Sequence, residues 1–388
     1  MKKIIFIILS ALFSVLSLHS LEVTRGLYTV TGEISQDKAG KIADVLNLYH
    51  NEFNDIFRFN PDGPGYKYQV LVFPDKGSYD EYLNRTINQT REDFVFLKYS
   101  KPEKSQLVLF DCGEGTWNKS LARQCFFQYI YGNILNPPLW LREGFGIYFE
   151  SLLYDSKTNN LKYIQPLAWL DTVKSQRNKG DKISASDIIS ALPDQFSSSI
   201  LYPQSWALVY YMMNTGDSSV SRLLWDSLFQ LSVKGSIESN TQAVANSILQ
   251  WITPGELNAG FEDWIAETKT WTELLNSGIK YYSEKEYQMA EKTFEEAVLR
   301  NERDSTAYYY LGLIAYNNGD YITAETYYRT ALQLGADAGT VNWALGLTAY
   351  ANSKHGDAIK YLNEAMRISP EKYKERCTEL INKINNPD

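Results

Sequence analysis

Small residues recur with one period in the C-terminal third of the chain, and this repetition constrains the fold more than any other feature. Glycine recurs every 34 residues, and two series of alanines share the period. The positions are Gly278, Gly312 and Gly346; Ala290, Ala324 and Ala358; and Ala297, Ala331 and Ala365. Self-similarity at such a period is typical of stacked repeats, in which each unit buries its apolar face against the next. The segment is therefore predicted to form an all-α solenoid of three repeats.

Each repeat is predicted to consist of two amphipathic helices. The glycine lies in the first helix, where a missing side chain lets the second helix pack closely. The pattern resembles the tetratricopeptide repeat, most closely at Leu311 and Gly312 and in residues 316–321, which read Tyr-Asn-Asn-Gly-Asp-Tyr. Residues 371–386 carry apolar side chains at helical spacing and are predicted to cap the last repeat. Residues 271–388 are thus expected to hold three repeats and a capping helix.

Large aromatic side chains follow the same period in the predicted first helices. The candidate binding residues are Tyr282, Tyr309, Tyr316, Trp343 and Tyr350. First helices of stacked repeats line a concave groove, where rigid aromatics suit a protein or peptide partner. The neighbouring apolar positions are Ile279, Leu313 and Leu347, which favour a hydrophobic partner over an acidic one. The alternative is that these aromatic residues serve packing alone.

The preceding region, residues 21–269, has the mixed pattern of an α+β domain. Strands are predicted at residues 27–34, 66–73, 93–99 and 106–110, and a long amphipathic helix at residues 36–57. The last strand is apolar after its first residue and is expected inside the sheet. After residue 115 the pattern is helical. We predict a small mixed sheet with helices, followed by a helical half.

One short motif suggests a family for this region. Residues 138–150 read Pro-Leu-Trp-Leu-Arg-Glu-Gly-Phe-Gly-Ile-Tyr-Phe-Glu. They resemble the Trp-Leu-x-Glu-Gly-x-Ala-x-Tyr helix of gluzincin-type zinc peptidases, in the peptidase MA-like superfamily. Residues 202–211 and 261–265 are similar to the helix behind the site and the closing helix of that family. The resemblance implies a gluzincin-like fold over roughly residues 25–268, with Glu143 at the position of the third zinc ligand.

The other zinc-binding and catalytic positions of that family are replaced in this chain. In the family, a preceding helix carries His-Glu-x-x-His, whose histidines hold the metal and whose glutamate activates water. The corresponding residues here are Arg123, Gln124 and Phe127. Arginine stays protonated, phenylalanine has no donor atom and glutamine accepts no proton, so the resemblance implies a vestigial site without metal or cofactor. Glu143 is then expected either to pair with Arg123 or to be an ordinary helix residue.

Composition narrows the function classes further. The chain has 388 residues, a formal net charge of -8 and three histidines. The acidic balance argues against a nucleic-acid partner, and the scarcity of histidine argues against a His-rich metal site. We therefore favour a non-catalytic protein-binding or scaffold protein, an inactive peptidase homologue joined to a peptide-binding repeat array. The alternative is a hydrolase that acts on peptides or cell-wall material through residues the sequence does not identify.

The first 20 residues are predicted to be a secretory signal peptide. Lys2 and Lys3 precede an apolar run over residues 4–18, and Ser20 offers a small residue for cleavage. An uncleaved anchor is the alternative. After cleavage no membrane span is expected, so the protein is predicted to be exported, either periplasmic or extracellular.

The three cysteines leave two alternatives open. Cys112 and Cys125 are close enough in sequence to pair if the end of a strand meets the next helix. Two buried thiols are equally compatible with the spacing. Cys377 lies in the predicted capping helix, far from both.

Overall fold

The computed structural model describes residues 21–60, 62–112, 120–164 and 167–386, so the predicted signal peptide lies outside the described residues. The described chain divides into two compact units. The first comprises residues 21–137 with Tyr154–Leu161 and Leu231–Asn240; the second comprises Pro138–Leu153, Lys162–Gln230 and the chain from Thr241 onward. The domain boundary predicted near residue 270 stays a prediction. Within the described residues, no helix is both long and apolar enough to cross a membrane.

A five-stranded mixed sheet forms the centre of the first unit. Its strands are β1 (Leu21–Arg25), β2 (Tyr28–Gly32), β3 (Tyr68–Phe73), β4 (Val95–Leu97) and β5 (Gln106–Phe110). The order across the sheet is β1-β2-β3-β5-β4; β2, β3 and β5 run parallel, and the outer strands run antiparallel to their neighbours. Strand β5 therefore lies inside the sheet, as its apolar sequence predicts, with Leu107, Val108 and Leu109 buried.

Strand β1 has no counterpart in the sequence prediction. It pairs with β2 through a tight turn at Gly26, whose φ of +54° lies in the left-handed region that favours glycine. A Cβ at Gly26 would lie 2.2 Å from Oδ1 of Asn47, and that same oxygen accepts a hydrogen bond from the Leu27 amide at 3.0 Å. The turn is thus held by a side chain from the following helix.

The helices of the first unit cover this sheet. They are α1 (Gln36–Phe57), α2 (Lys76–Ile87) and α3 (Ser120–Asn133), with a short 3-10 helix at Pro102–Lys104. Helix α1 has the predicted bounds; the Ser35 side chain caps its start and Arg58, in the left-handed conformation, follows its end. It contacts β1, β2 and α3, while α3 also contacts β4 and β5. Cys125 on α3 is a buried thiol and forms no disulfide with Cys112.

Seven further helices and a two-stranded ribbon lead to the repeats. The helices are α4 (Leu139–Phe149), α5 (Leu170–Asn178), α6 (Ala185–Ser190), α7 (Ser198–Asn214), α8 (Ser218–Leu228), α9 (Ile237–Leu249) and α10 (Pro254–Glu267). The ribbon, β6 (Leu152–Asp155) paired with β7 (Asn160–Tyr163), corrects the expectation that only helices follow residue 115. Its β7 strand has no buried residue, so it lacks the apolar alternation that would mark a strand in the sequence. In the second unit, α7 contacts α4, α5, α6, α8 and α10.

The C-terminal segment forms a helical solenoid of the predicted kind. Its helices are α11 (Trp271–Ser283), α12 (Tyr287–Arg300), α13 (Ser305–Asn317), α14 (Tyr321–Gln333), α15 (Ala338–Ala351), α16 (His355–Ile368) and α17 (Pro370–Asn385). They pair as α11 with α12, α13 with α14 and α15 with α16, and α17 packs on the last pair. Tyr373 and Cys377 of α17 are buried against Leu362 and Ala365 of α16.

The glycine of each repeat allows the paired helices to approach closely. A Cβ on Gly312 would lie 2.5 Å from the ring of Tyr328 in the second helix of the same repeat. The equivalent pairs are Gly278 with Phe294 and Gly346 with Leu362, each at 2.7 Å. Real Cβ contacts are longer than this, so only glycine fits without moving the ring or the helix.

His50 lies on α1 within the tyrosine-rich core of the first unit. It is 1% exposed, and its ring centroid lies 5.2 Å from that of Tyr129 and 5.8 Å from that of Tyr68. Within the described residues neither ring nitrogen has a hydrogen-bond partner. Burial lowers the pKa of His50 from 6.5 to about 4, so this side chain is neutral at neutral pH.

We expect Gly312→Ala to destabilise the repeats. The new methyl group must displace the Tyr328 ring, and overpacking of this kind typically lowers the free energy of unfolding by about 1–3 kcal/mol. The matched control is Gly356→Ala in α16, where a Cβ would meet no atom within 4 Å. Helix propensity alone makes that change neutral or stabilising by up to about 1 kcal/mol. Thermal unfolding followed by circular dichroism checks this; equal shifts in both variants would contradict it.

Candidate functional site

The candidate binding residues lie on the first helices of the three repeats. Helix α11 contacts α13, and α13 contacts α15, so these helices lie side by side. We call the five predicted residues the aromatic ladder: Tyr282, Tyr309, Tyr316, Trp343 and Tyr350. All five are half-buried, whereas the glycines of the same helices are buried. Each ring therefore rests against the repeat core and keeps part of its surface exposed.

Neighbouring side chains hold the first two ladder residues. The Tyr282 hydroxyl accepts a hydrogen bond from Nδ2 of Asn317 at 3.3 Å, which connects α11 to α13. The Tyr282 ring also meets that of Tyr310 edge-on, with centroids 5.3 Å apart. Tyr309 packs on Tyr328 of α14, with centroids 5.8 Å apart. These contacts restrict the rotamers of both tyrosines before any partner binds.

The other ladder residues are also packed on one side. Trp343 stacks on Tyr373 of α17, with ring centroids 5.7 Å apart and planes inclined by 22°. The remaining contacts are Tyr316 with Tyr321 at 5.6 Å and Tyr350 with His355 at 6.0 Å. The packing role considered from the sequence is therefore present at every ladder position. A binding role for the exposed part of each ring stays a prediction.

The tyrosine hydroxyls of the aromatic ladder carry no charge. Burial raises the pKa of Tyr309 to about 12, and it raises the pKa values of Tyr282 and Tyr316 as well. These hydroxyls stay protonated at neutral pH and can both donate and accept hydrogen bonds. Neither the ladder nor the apolar positions between its members carry lysine or arginine. The surface thus offers apolar area with neutral hydrogen-bonding groups.

The three replaced positions of α3 make contacts that do not involve a metal site: Arg123, Gln124 and Phe127 contact each other or the sheet. Arg123 and Phe127 lie one turn apart on the same face, with the guanidinium carbon 5.5 Å from the ring centroid. Oε1 of Gln124 accepts a hydrogen bond from the Phe96 amide of β4 at 2.9 Å. Within the described residues, no group of three or more histidines, cysteines, aspartates or glutamates is arranged to hold a metal ion. These three side chains do not fit a zinc site of the family's type.

Glu143 and Gly144 of the α4 motif have structural partners. Glu143 is 4% exposed, and its Oε1 accepts hydrogen bonds from Nε and Nη2 of Arg142 at 2.8 and 2.6 Å. This ion pair satisfies a buried carboxylate, while the pairing of Glu143 with Arg123 stays a prediction. A Cβ on Gly144 would lie 2.6 Å from the Ser205 carbonyl oxygen of α7. Close packing of α4 on α7 therefore requires glycine at this position.

A buried polar network joins the other two motif segments in the second unit. Gln204 is fully buried; its Oε1 accepts from Nη1 of Arg177 at 2.8 Å and from the Ile183 amide at 3.1 Å. Its Nε2 donates to the Asp181 carbonyl at 2.6 Å. Arg177 also forms an ion pair with Glu262. Both polar atoms of this buried amide thus have hydrogen-bond partners, and its role in the fold is structural.

Two positioning residues were missed in the sequence. Asn317 and Tyr373 hold ladder residues, but neither belongs to the aromatic series. Asn317 directly follows Tyr316 at the end of α13, and this adjacency was the available signal. Tyr373 lies in the capping helix, where the repeat period no longer applies.

The C-terminal half of the chain contains tetratricopeptide repeats. Residues 277–339 and 315–372 each match the sequence profile of the family described as tetratricopeptide repeat. No curated protein matches the chain significantly.

Two solved structures are similar to part of this chain. One is the first TPR of Spaghetti (RPAP3) bound to the HSP90 peptide SRMEEVD, with 16% identity, a TM-score of 0.28, and coverage of 30% of this chain and 90% of that one. The other is the type III secretion translocator chaperone SycD of Yersinia enterocolitica. It has 18% identity, a TM-score of 0.29, and coverage of 32% of this chain and 92% of that one.

Proposed function

We propose that this chain is a non-catalytic protein-binding protein whose aromatic ladder holds a peptide segment of a partner. The observation that carries the proposal is the half-exposed series of five aromatic residues on adjacent first helices, each held by packing on one side. Repeats of this type present extended concave surfaces for partners, and the matched profile supports such a surface here.

Restricted side chains make this surface suitable for binding. A flexible side chain loses rotamer entropy when a partner immobilises it, at about 0.5–1.5 kcal/mol each. Tyr309 and Trp343 already pack against Tyr328 and Tyr373, so little of that entropy remains to be lost. Tyrosine and tryptophan are also the residue types enriched among energetic hot spots.

The partner segment is an apolar peptide rather than an acidic one. The ladder and the apolar positions beside it carry no cation that could pair with a carboxylate. Burying an unpaired carboxylate against aromatic rings is unfavourable, whereas apolar side chains gain about 25 cal/mol for each Å² removed from water. The tyrosine hydroxyls supply neutral hydrogen bonds to the peptide backbone.

The region before the repeats is, in this proposal, an inactive relative of zinc peptidases. The support is the resemblance at residues 138–150 together with a mixed sheet and the helix α3 that follow the expected order. Arg123, Gln124 and Phe127 supply neither imidazole ligands nor a general base. This region therefore acts as a structural or binding element of the same protein.

We expect Tyr309→Ala combined with Trp343→Ala to weaken peptide binding about tenfold or more, since truncating one hot-spot residue costs about 2 kcal/mol. The probes are peptides selected on the full chain from a random display library, with affinities measured by fluorescence polarisation. We also expect the selected sequences to be apolar and poor in acidic residues. Circular dichroism verifies that each variant is folded.

The matched control is Leu299→Ala combined with Ile322→Ala. These apolar residues are 77% and 71% exposed and lie on the second helices α12 and α14. The control should bind the peptides like the unaltered chain. If the ladder variant also binds normally while folded, the ladder is structural and the binding surface lies elsewhere.

We expect the purified full chain to hold no stoichiometric zinc. Glu143→Ala should leave background peptide hydrolysis unchanged, because a catalytic zinc site needs about three protein ligands and only this one resembles the family. Elemental analysis and a fluorogenic protease assay check both statements.

Conversely, the triple variant Arg123→His, Gln124→Glu, Phe127→His should gain zinc relative to a control with Ala at 123 and 127. Stoichiometric zinc in the native chain would overturn the proposal, and a folded triple variant that binds no more zinc than its control would refute the alignment.

Export is the remaining part of the proposal, and it rests on the basic and apolar N-terminal sequence. We expect the intact mass of the protein recovered from its native cells to correspond to a chain that begins near Leu21 or Leu18. Fractionation should place it outside the cytoplasmic membrane. A mass that includes Met1 would support the uncleaved anchor instead.

A further inference from the structure

A small cavity in the first unit is walled by aromatic rings. Its volume is about 210 Å³, and it lies between the 3-10 helix, strands β3 and β4, and helix α3. The rings that line it are Tyr66, Tyr68, Phe96, Tyr99 and Tyr131. We call it the tyrosine pocket. Tyr66 and Tyr68 meet edge-on with centroids 6.0 Å apart, and Phe96 stacks on Tyr131 at 5.9 Å, so the walls support one another.

Gln128 lines this pocket and carries a buried acceptor. The residue is 2% exposed, and its Nε2 donates a hydrogen bond to the Gln69 carbonyl of β3 at 2.9 Å. That bond fixes the orientation of the amide, because only the nitrogen can donate to a carbonyl. The other amide atom, Oε1, is buried and has no hydrogen-bond partner in the described chain.

Tyr68 presents a second buried polar atom. It is 2% exposed, and its hydroxyl also has no hydrogen-bond partner among the described residues. The ring is held between Tyr28 at 5.3 Å and His50 at 5.8 Å. Gly132 lies next to the Tyr68 side chain, and a Cβ there would come within 2.6 Å of the hydroxyl oxygen. The hydroxyl therefore cannot swing to a distant partner, and burial raises its pKa, so it stays protonated.

The charge of the lining restricts what the pocket can hold. Lys98 is the one ionisable cation or carboxylate among the described lining residues. Its Nζ donates to the Leu135 carbonyl at 2.8 Å and lies 4.1 Å from the centre of the Tyr131 ring. A bound cation would find no carboxylate, and an anion would face the Gln128 oxygen, which only accepts. An uncharged molecule needs no carboxylate in the lining, and a hydrogen-bond donor on it can bond to the Gln128 oxygen.

We propose that the tyrosine pocket binds a small, uncharged, planar-ring molecule that carries a hydroxyl or N–H donor, as a phenol does. The ring stacks between the aromatic walls, and its donor bonds to Gln128 Oε1 and the Tyr68 hydroxyl once the ring has displaced the side chains that cover these two buried atoms. The volume is sufficient for one aromatic ring. This site is separate in sequence from the aromatic ladder, and its proposal does not depend on the function proposed for the repeats.

Phenol and toluene are matched probes, because they have the same shape and only phenol has a donor. On the full chain, we expect phenol to bind in the tyrosine pocket about fivefold more tightly than toluene, as one added neutral hydrogen bond provides. Titration calorimetry and a crystal soaked with phenol measure the affinity and the location. Absence of phenol binding, equal binding of the two probes, or pocket density that contains only ordered water would each overturn the proposal.

Two conservative variants separate binding from folding. Tyr68→Phe removes only the hydroxyl, so we expect phenol affinity to fall about fivefold while toluene affinity stays the same. Thermal stability should hold or rise, since the buried hydroxyl has no hydrogen-bond partner to lose within the described part of the chain. Tyr28→Phe is the control: its hydroxyl is likewise buried and has no partner among the described residues, but Tyr28 does not line the pocket, so phenol affinity should be unchanged. An equal loss in both variants, or no loss in Tyr68→Phe, would contradict the assignment.

Discussion

Close approach of paired helices over a missing side chain sets the geometry of the repeats. At Gly278, Gly312 and Gly346 the space of a Cβ is taken by a large side chain of the second helix. Protein interiors are packed as densely as organic crystals, so each such contact permits one arrangement of the helix pair. Because the contact recurs every 34 residues, the exposed faces of the first helices recur with it. The regular spacing of the aromatic ladder therefore depends on these three glycines. Gly144 allows the same close packing of α4 on α7.

The sequence predicted those parts of the fold that local periodicity specifies. Helix α1 has an amphipathic pattern over its whole length, and its predicted and observed bounds agree. Strand β5 is an apolar run, and it lies inside the sheet as expected. Strand β1 and the β6–β7 ribbon were missed, because each strand has only four or five residues and at most one of them is buried. The pairing of β1 with β2 depends on the turn at Gly26 and on Asn47 of α1, which no local pattern shows.

The two candidate sites also differ in how far the sequence predicts them. Ladder residues could be predicted because they share the repeat period, although their supports Asn317 and Tyr373 could not. The tyrosine pocket combines β3, β4, the 3-10 helix and α3, whose residues are scattered between Tyr66 and Asn136. Nothing in the sequence indicates that Tyr68 and Gln128 line one cavity and that each has a buried polar atom without a partner in the described chain. Such a site is visible only once the donors and acceptors of the folded chain are assigned to their partners.

The replaced positions of α3, Arg123, Gln124 and Phe127, lie next to the strand that lines the tyrosine pocket. A polar side chain in a helix that packs on a sheet needs a partner, and both polar residues at the replaced positions have local contacts. Arg123 lies over Phe127, while Gln124 binds the Phe96 amide. Phe96 lies in the edge strand β4, and Gln124 satisfies its amide. Its ring forms a wall of the tyrosine pocket by stacking on Tyr131. The position that the family resemblance assigns to a catalytic base thus anchors the strand that shapes this pocket.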